Sequence, residues 1–256
     1  MGPAQVSAHK LKNGITSFDQ FNYAGLVTNQ ASDQLITDSG AAATALATGH
    51  KSYNGAVSIS PEGDTLKTVF EYAKEQGMAT GLVVTCTVTH ATPACFVSHE
   101  ESREDHNEIA KQITDFNPDV LIGGGLMYFL PESTDGSERQ DTLDLIKQRS
   151  SNKNIVYSYD ELKMMDSNLG LTALLEMENL PPAPERNYTL GDLTRKALDI
   201  LSTNNENGFI LMVEGSQIDW ACHDNMFELF LAEMKDFDSA LAEGLKFADN
   251  NPETLI

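Results

Sequence analysis

Along the chain, segments with apolar residues three and four apart alternate with short continuous apolar runs. The first spacing is helical and the second is that of a buried strand. Leu66, Val69, Phe70 and Ala73 predict a helix over residues 64–76, with Asp64 able to cap its start and Gly77 its end. Thr80-Gly81-Leu82-Val83-Val84-Thr85 then reads as a buried strand. A helix over 104–113, a strand over 119–122 and a turn at Gly123-Gly124-Gly125 follow. Residues 132–140 are polar and loop-like, 141–148 helical, and 154–157 a strand. Leu193, Ala197, Ile200 and Leu201 mark the next helix and Phe209 to Val213 the next strand. Residues 225–248 form a long amphipathic helix, and Thr254-Leu255-Ile256 begins another apolar run. Earlier in the chain, Leu35-Ile36 reads as the end of a strand. It leads into an alanine-rich helix from Ala41 to Ala47, with Gly49 as its stop.

This alternation predicts an α/β fold, a mostly parallel sheet with helices on both faces, in a single domain over residues 1–256. Residues 126–188 are an irregular excursion. Their last part, 166–188, ends in Leu180-Pro181-Pro182-Ala183-Pro184 and is a surface excursion rather than a linker, because the alternation resumes at once. In open parallel sheets, sites collect beyond the carboxyl ends of strands. Three polar clusters are expected there: Asp38-Ser39, residues 87–92, and Glu214.

A length of 256 residues can bury a full core, and 41% hydrophobic with 21% charged residues is a globular composition. No apolar run approaches the roughly 18 residues of a membrane span. The net charge of −21 argues against a nucleic-acid partner and would repel anionic ligands at long range. An anion-handling site therefore needs local positive charge, from metal ions or a placed arginine. Cys86, Cys95 and Cys222 lack CxxC spacing and form neither a disulfide framework nor a zinc knuckle. The start, Met-Gly-Pro-Ala-Gln, has no basic and apolar regions of a signal peptide.

Asp38-Ser39-Gly40 puts a hydroxyl beside a carboxylate at a helix N-terminus, where free N–H groups and the helix dipole favour an anion. An ordinary serine N-cap would give the same pattern. Glu214 ends a strand, and Asp219 and His223 lie four residues apart. On one helical face the last two could grip a single metal or form a plain surface pair. Thr92 offers a hydroxyl to a hard cation, and Arg103 a bidentate clamp for a phosphoryl group, unless it is a solvated helix residue.

Together these segments resemble the alkaline phosphatase family. The matching residues are Thr37-Asp38-Ser39-Gly40-Ala41-Ala42-Ala43-Thr44-Ala45, Thr48-Gly49-His50-Lys51-Ser52-Tyr53-Asn54-Gly55, Gly81-Leu82-Val83-Val84-Thr85 and His90-Ala91-Thr92-Pro93-Ala94. Ser102-Arg103, Gly123-Gly124-Gly125 and Val213-Glu214-Gly215-Ser216-Gln217-Ile218-Asp219 with His223 continue the match in order. The resemblance implies a three-layer sandwich that hydrolyses phosphate monoesters through a phosphoserine, with two zinc ions and one magnesium ion. It implies Ser39 as nucleophile, Asp38 in support and Arg103 on the phosphoryl oxygens. Asp219 and His223 become ligands of one zinc, and Thr92 and Glu214 ligands of magnesium. His90 and Trp220 stand at positions that tune the metal site. A homodimer in the periplasm or outside the cell is implied as well.

The resemblance also has gaps. The family's bridging aspartate is absent, Met1-Gly2 resembling the tail of the turn that follows it, and so are the family's later Asp-His pair and histidine. The chain is thus expected to be truncated at both ends and, by itself, inactive with poor zinc binding. A phosphodiesterase or sulfatase of the same superfamily is the rival enzymatic reading.

Overall fold

A computed structural model describes residues 2–165, 169–203 and 205–256. In chain order its helices are α1 (Pro3–Asn13), α2 (Ser39–Thr48), α3 (Val69–Glu75), α4 (Ala91–Val97), α5 (His106–Phe116), α6 (Leu145–Arg149), α7 (Tyr159–Met164), α8 (Leu190–Leu201), α9 (Gln217–His223) and α10 (Phe227–Asn250). The strands are β1 (Ala79–Thr87), β2 (Val120–Gly124), β3 (Lys153–Val156), β4 (Gly170–Leu174) and β5 (Phe209–Glu214). They form one sheet in the order β3-β4-β2-β1-β5, and every pairing is parallel.

Successive strand residues point to opposite faces, and the core divides accordingly. Leu82, Val84 and Cys86 of β1 and Leu121 of β2 pack with Ala43 and Ala47 of α2, Phe70 of α3, Phe96 of α4 and Ile109 and Ile113 of α5. Val83, Val120, Ile122, Leu171 and Ala173 face the other way, onto Leu162 of α7, Leu193, Ala197 and Leu201 of α8 and Ala240 of α10. Helices therefore cover both faces, and the expected α/β architecture is borne out. A third cluster joins α9 to α10 through Ile218, Ala221, Phe230 and Met234. Arg186 locks the proline-rich stretch to α10. Its Nη2 donates to Asp236 Oδ2 at 2.7 Å and lies 3.9 Å from Glu233 Oε2, all three side chains being buried.

Several sequence expectations need correction. Leu35-Ile36 is not a strand end. Both side chains are exposed, and the segment is held irregularly, with Asn54 Nδ2 donating to the Ile36 carbonyl at 3.0 Å. Among the described residues it pairs with no strand, so the apolar pair alone did not become one. The helix expected from residue 64 starts at Val69, because Thr68 and Glu71 form a reciprocal capping box. The helix expected over 104–113 runs from His106 to Phe116. The glycine triplet is mostly strand, with only Gly125 turning at φ 95°. Of the helix expected over 141–148, only Leu145–Arg149 forms, since Asp144 caps Lys147 N–H and Asp141 is taken by Arg139.

The excursion contains an inner strand: β4 pairs with both β2 and β3. Residues 166–168 of that stretch lie outside the described residues. The long helix expected from residue 225 starts at Phe227. Residues 254–256 form no strand, and Leu255 is exposed. At the start, Gly2 caps α1, a helix that was not expected; Met1 lies outside the described residues.

Candidate active site

Ser39 is the first residue of α2, and Asp38 sets its position. Asp38 Oδ1 accepts from Ala41 N–H at 2.8 Å, and Oδ2 accepts from Gly55 N–H at 3.0 Å. The Asp38 N–H donates to Asn54 Oδ1 at 2.9 Å. Arg103 is tied to the same loop, its N–H donating to the Gly55 carbonyl at 2.8 Å. Residues 54 and 55 thus form a jig that holds two segments more than sixty residues apart.

The guanidinium spans the centre. Arg103 Nη1 donates to Ser39 Oγ at 2.9 Å and to Asp38 Oδ2 at 3.0 Å, while Nη2 lies 3.2 Å from His90 Nε2. That last contact requires His90 Nε2 to be an unprotonated acceptor. Burial, then the Arg103 charge and His106, push the His90 pKa down to about 4, so the ring is neutral at pH 7. Trp220 of α9 meets His90 edge-on with ring centroids 5.8 Å apart.

A second group sits where β5 ends. Burial raises the Glu214 carboxyl pKa, against hydrogen bonds from Ser216, Thr92 and Cys86 that lower it. Ser216 Oγ donates to Glu214 Oε2 at 2.5 Å and Cys86 Sγ to the same oxygen at 3.7 Å. Asp219 Oδ2 lies 3.4 Å from His223 Nε2 on α9, with both side chains more than 70% exposed, so the pair is open to a solvated ion.

The expected site residues therefore fall into a linked set. Asp38, Ser39, Arg103, His90 and Trp220 form a chain of contacts, Thr92 touches Glu214, and Asp219 precedes Trp220 in α9. Of the three clusters expected at strand ends, residues 87–92 and Glu214 lie there; Ser39 follows the irregular segment instead. Sequence reasoning missed Ser216 and Cys86 as partners of Glu214, and Asn54 and Gly55 as the jig. The run Val213-Glu214-Gly215-Ser216 could have pointed to Ser216, but a loop carbonyl such as that of Gly55 leaves no signal in residue type.

Measured against metals, the donors are right in kind and short in number. Thr92 and Glu214 are the hard oxygens a magnesium ion takes, and an Asp–His pair one turn apart suits zinc. Among the described residues, however, no three His, Cys, Asp or Glu side chains gather around one point.

A parallel sheet covered on both faces, with a serine at a helix start under an arginine, defines an α/β protein with a polar cluster at one helix terminus. The family model described as alkaline phosphatase matches residues 3–256, and the chain belongs to the alkaline phosphatase family. It is 42% identical to alkaline phosphatase 3 of Bacillus subtilis, over 94% of this chain and 52% of that protein. To alkaline phosphatase 4 of the same organism it is 39% identical, over 100% of this chain and 58% of that protein. The crystal structure of a cold-active alkaline phosphatase from a psychrophilic Shewanella superposes with a TM-score of 0.90 at 35% identity. That match covers 99% of this chain and 63% of the Shewanella chain. The chain spans a little over half the length of the curated relatives it matches.

Proposed function

We propose that this chain carries the nucleophile and phosphoryl-binding part of a phosphate monoester hydrolase working through a phosphoserine. The observation that carries this reading is the 2.9 Å hydrogen bond from Arg103 Nη1 to Ser39 Oγ at the start of α2. Ser39 Oγ attacks phosphorus, the Oγ–P bond forms as the ester P–O bond breaks, and the alcohol leaves. Water then cleaves the phosphoserine and releases inorganic phosphate.

Arg103 stabilises the developing negative charge, first on Oγ and then on the equatorial oxygens. Asp38 and His90 fix the plane of the guanidinium, so its reorientation is not part of the barrier. The N-terminal dipole of α2 adds a partial positive charge at the same point. Asp219 and His223 would hold one zinc ion, and Thr92 with Glu214 the magnesium ion. Bound divalent ions supply Lewis-acid stabilisation of an in-line displacement.

The test is single-turnover labelling with a phosphorus-labelled monoester, zinc and magnesium being supplied. Label should be trapped on a full-length protein that carries this segment, whereas the segment alone, short of metal donors among its described residues, should trap little; label retained on Ser39→Ala of the full-length protein would sink the assignment. Parallel turnover of a diester and a sulfate ester separates this reading from the superfamily rivals, which require one of those to be preferred. The proposal also includes a homodimer outside the cytoplasm, periplasmic or secreted, checked by sedimentation and by cell fractionation.

A further inference from the structure

A cavity next to the described site belongs to none of the steps above. It is an open cleft of about 570 Å³ lined in part by the segment that follows Arg103. Its wall carries five carboxylates, those of Glu104, Asp105, Glu108, Glu138 and Asp141, against two bases, Lys111 and Arg139. Both bases are already engaged within the wall. Lys111 Nζ donates to Glu108 at 3.0 Å, and Arg139 Nη2 to Asp141 at 2.6 Å. Five against two leaves the cavity a surplus of three negative charges.

The wall is also aromatic. His106 and Tyr128 stack with ring centroids 4.6 Å apart and an interplanar angle of 20°. Burial and then the charges of Glu138, Glu178 and Glu104 raise the Tyr128 hydroxyl pKa, so this phenol is surrounded by carboxylates. Asn107, also in the wall, donates its amide N–H to the Glu138 carbonyl at 3.1 Å and ties two sides of the wall together. An aromatic stack beside a surplus of carboxylates is the chemistry that recognises an organic cation. A bare metal ion would have no use for the rings.

Position supplies the rest. Glu104 Oε1 lies 3.6 Å from Arg103 Nε, on the guanidinium whose Nη1 reaches Ser39. The rim of the acidic cavity and the nucleophile are thus separated by the width of one guanidinium group. We propose that this cavity is an alcohol-side subsite that selects phosphate monoesters whose alcohol carries a positive charge, an ammonium or guanidinium. The proposal rests on the reading of Ser39 and Arg103 as the phosphoryl site. It gives a chain of net charge −21 a way to attract a phosphate ester, by recognising the cation at its other end.

The test is isothermal titration of the full chain with inorganic phosphate, phosphocholine and glycerol 2-phosphate at low ionic strength. Phosphocholine should bind about tenfold more tightly than glycerol 2-phosphate, a preference that 0.5 M salt reduces by screening. Asp105 and Glu138 are exposed, so the double variant Asp105→Asn with Glu138→Gln should fold. It should lose the preference to within twofold and keep its affinity for inorganic phosphate. Equal binding of the two esters to the wild-type chain overturns the subsite. If Arg103→Ala abolishes phosphate binding in that case, the phosphoryl-site reading still stands. Absence of any Arg103-dependent phosphate binding overturns both.

Discussion

Asp38 joins the helix that presents Ser39, the proposed nucleophile, to the arginine that contacts it, and two substitutions separate those duties. Asp38→Ala removes three acceptor contacts: to Ala41 N–H at 2.8 Å, to Gly55 N–H at 3.0 Å and to Arg103 Nη1 at 3.0 Å. Loss of an N-cap costs about 1 kcal/mol. A partly buried N–H left without its acceptor costs about 1 kcal/mol more. The Arg103 pair is 20–25% exposed, and solvent screening holds its contribution to about 1 kcal/mol. The alanine variant should therefore lose about 3 kcal/mol. Asp38→Asn keeps one oxygen for the cap but puts an NH2, which cannot accept, opposite Gly55 N–H and Arg103 Nη1, so it should lose about 2 kcal/mol. For a chain of this size those losses lower Tm by about 6–12 °C and about 4–8 °C respectively. Urea unfolding followed by far-UV circular dichroism, with calorimetry alongside, measures both. Alanine and asparagine variants of equal stability would refute the capping role. Unchanged inorganic phosphate affinity in both would refute the role of Asp38 in orienting Arg103.

Acid should destabilise the chelator-treated protein. The folded His90 pKa, about 4, lies below the unfolded value near 6.5, so its contribution is intact at pH 7. It falls as pH drops from 6.5 towards 4, by about 2 kcal/mol at pH 5, and in urea titrations at pH 7 and pH 5 His90→Gln should flatten that loss. Arg186→Ala should cost about 3–5 kcal/mol by leaving Glu233 and Asp236 buried without their cation, whereas Arg186→Met with Glu233→Leu should be much milder; the same unfolding assay compares them. Zinc added to the dialysed chain should bind weakly through Asp219 and His223 and be lost in His223→Ala, as metal analysis of the equilibrated protein would show.

The buried strands β1 and β5 were legible in the sequence because continuous apolar runs five or six residues long have few other uses. Helix α2 was legible because alanines bounded by Asp38 and Gly49 carry both start and stop signals. Strand β4 was not, since Gly-Leu-Thr-Ala-Leu is short, and only its two neighbours, β2 and β3, make it an inner strand. Leu35-Ile36 failed for the converse reason: an apolar pair says nothing about whether a strand edge is available to it. At the site, the motifs that match the family singled out Ser39, Arg103 and the candidate metal donors. It could not disclose that Arg103 bridges Ser39 and His90, because that geometry depends on the Gly55 carbonyl. The His106–Tyr128 stack joins residues from separate elements, and neither side chain signals the other.

The strand order has a consequence for how the protein is made. Strand β1 is flanked by β2, which follows it closely in the chain, and by β5, which begins more than 120 residues after β1 begins. A ribosome releases β1 to β4 well before β5, and an early-forming sheet would present the free edge of β1 until then. Glu214 arrives with β5, so the Thr92–Glu214 pair cannot exist on a nascent chain that already carries Ser39 and Arg103. Ser39 and Arg103 can meet early, whereas the proposed cation site at the end of β5 must wait until residue 214 has been made. Long-range pairing of this kind is slow, and a chaperone that shields the edge of β1 would act in that interval.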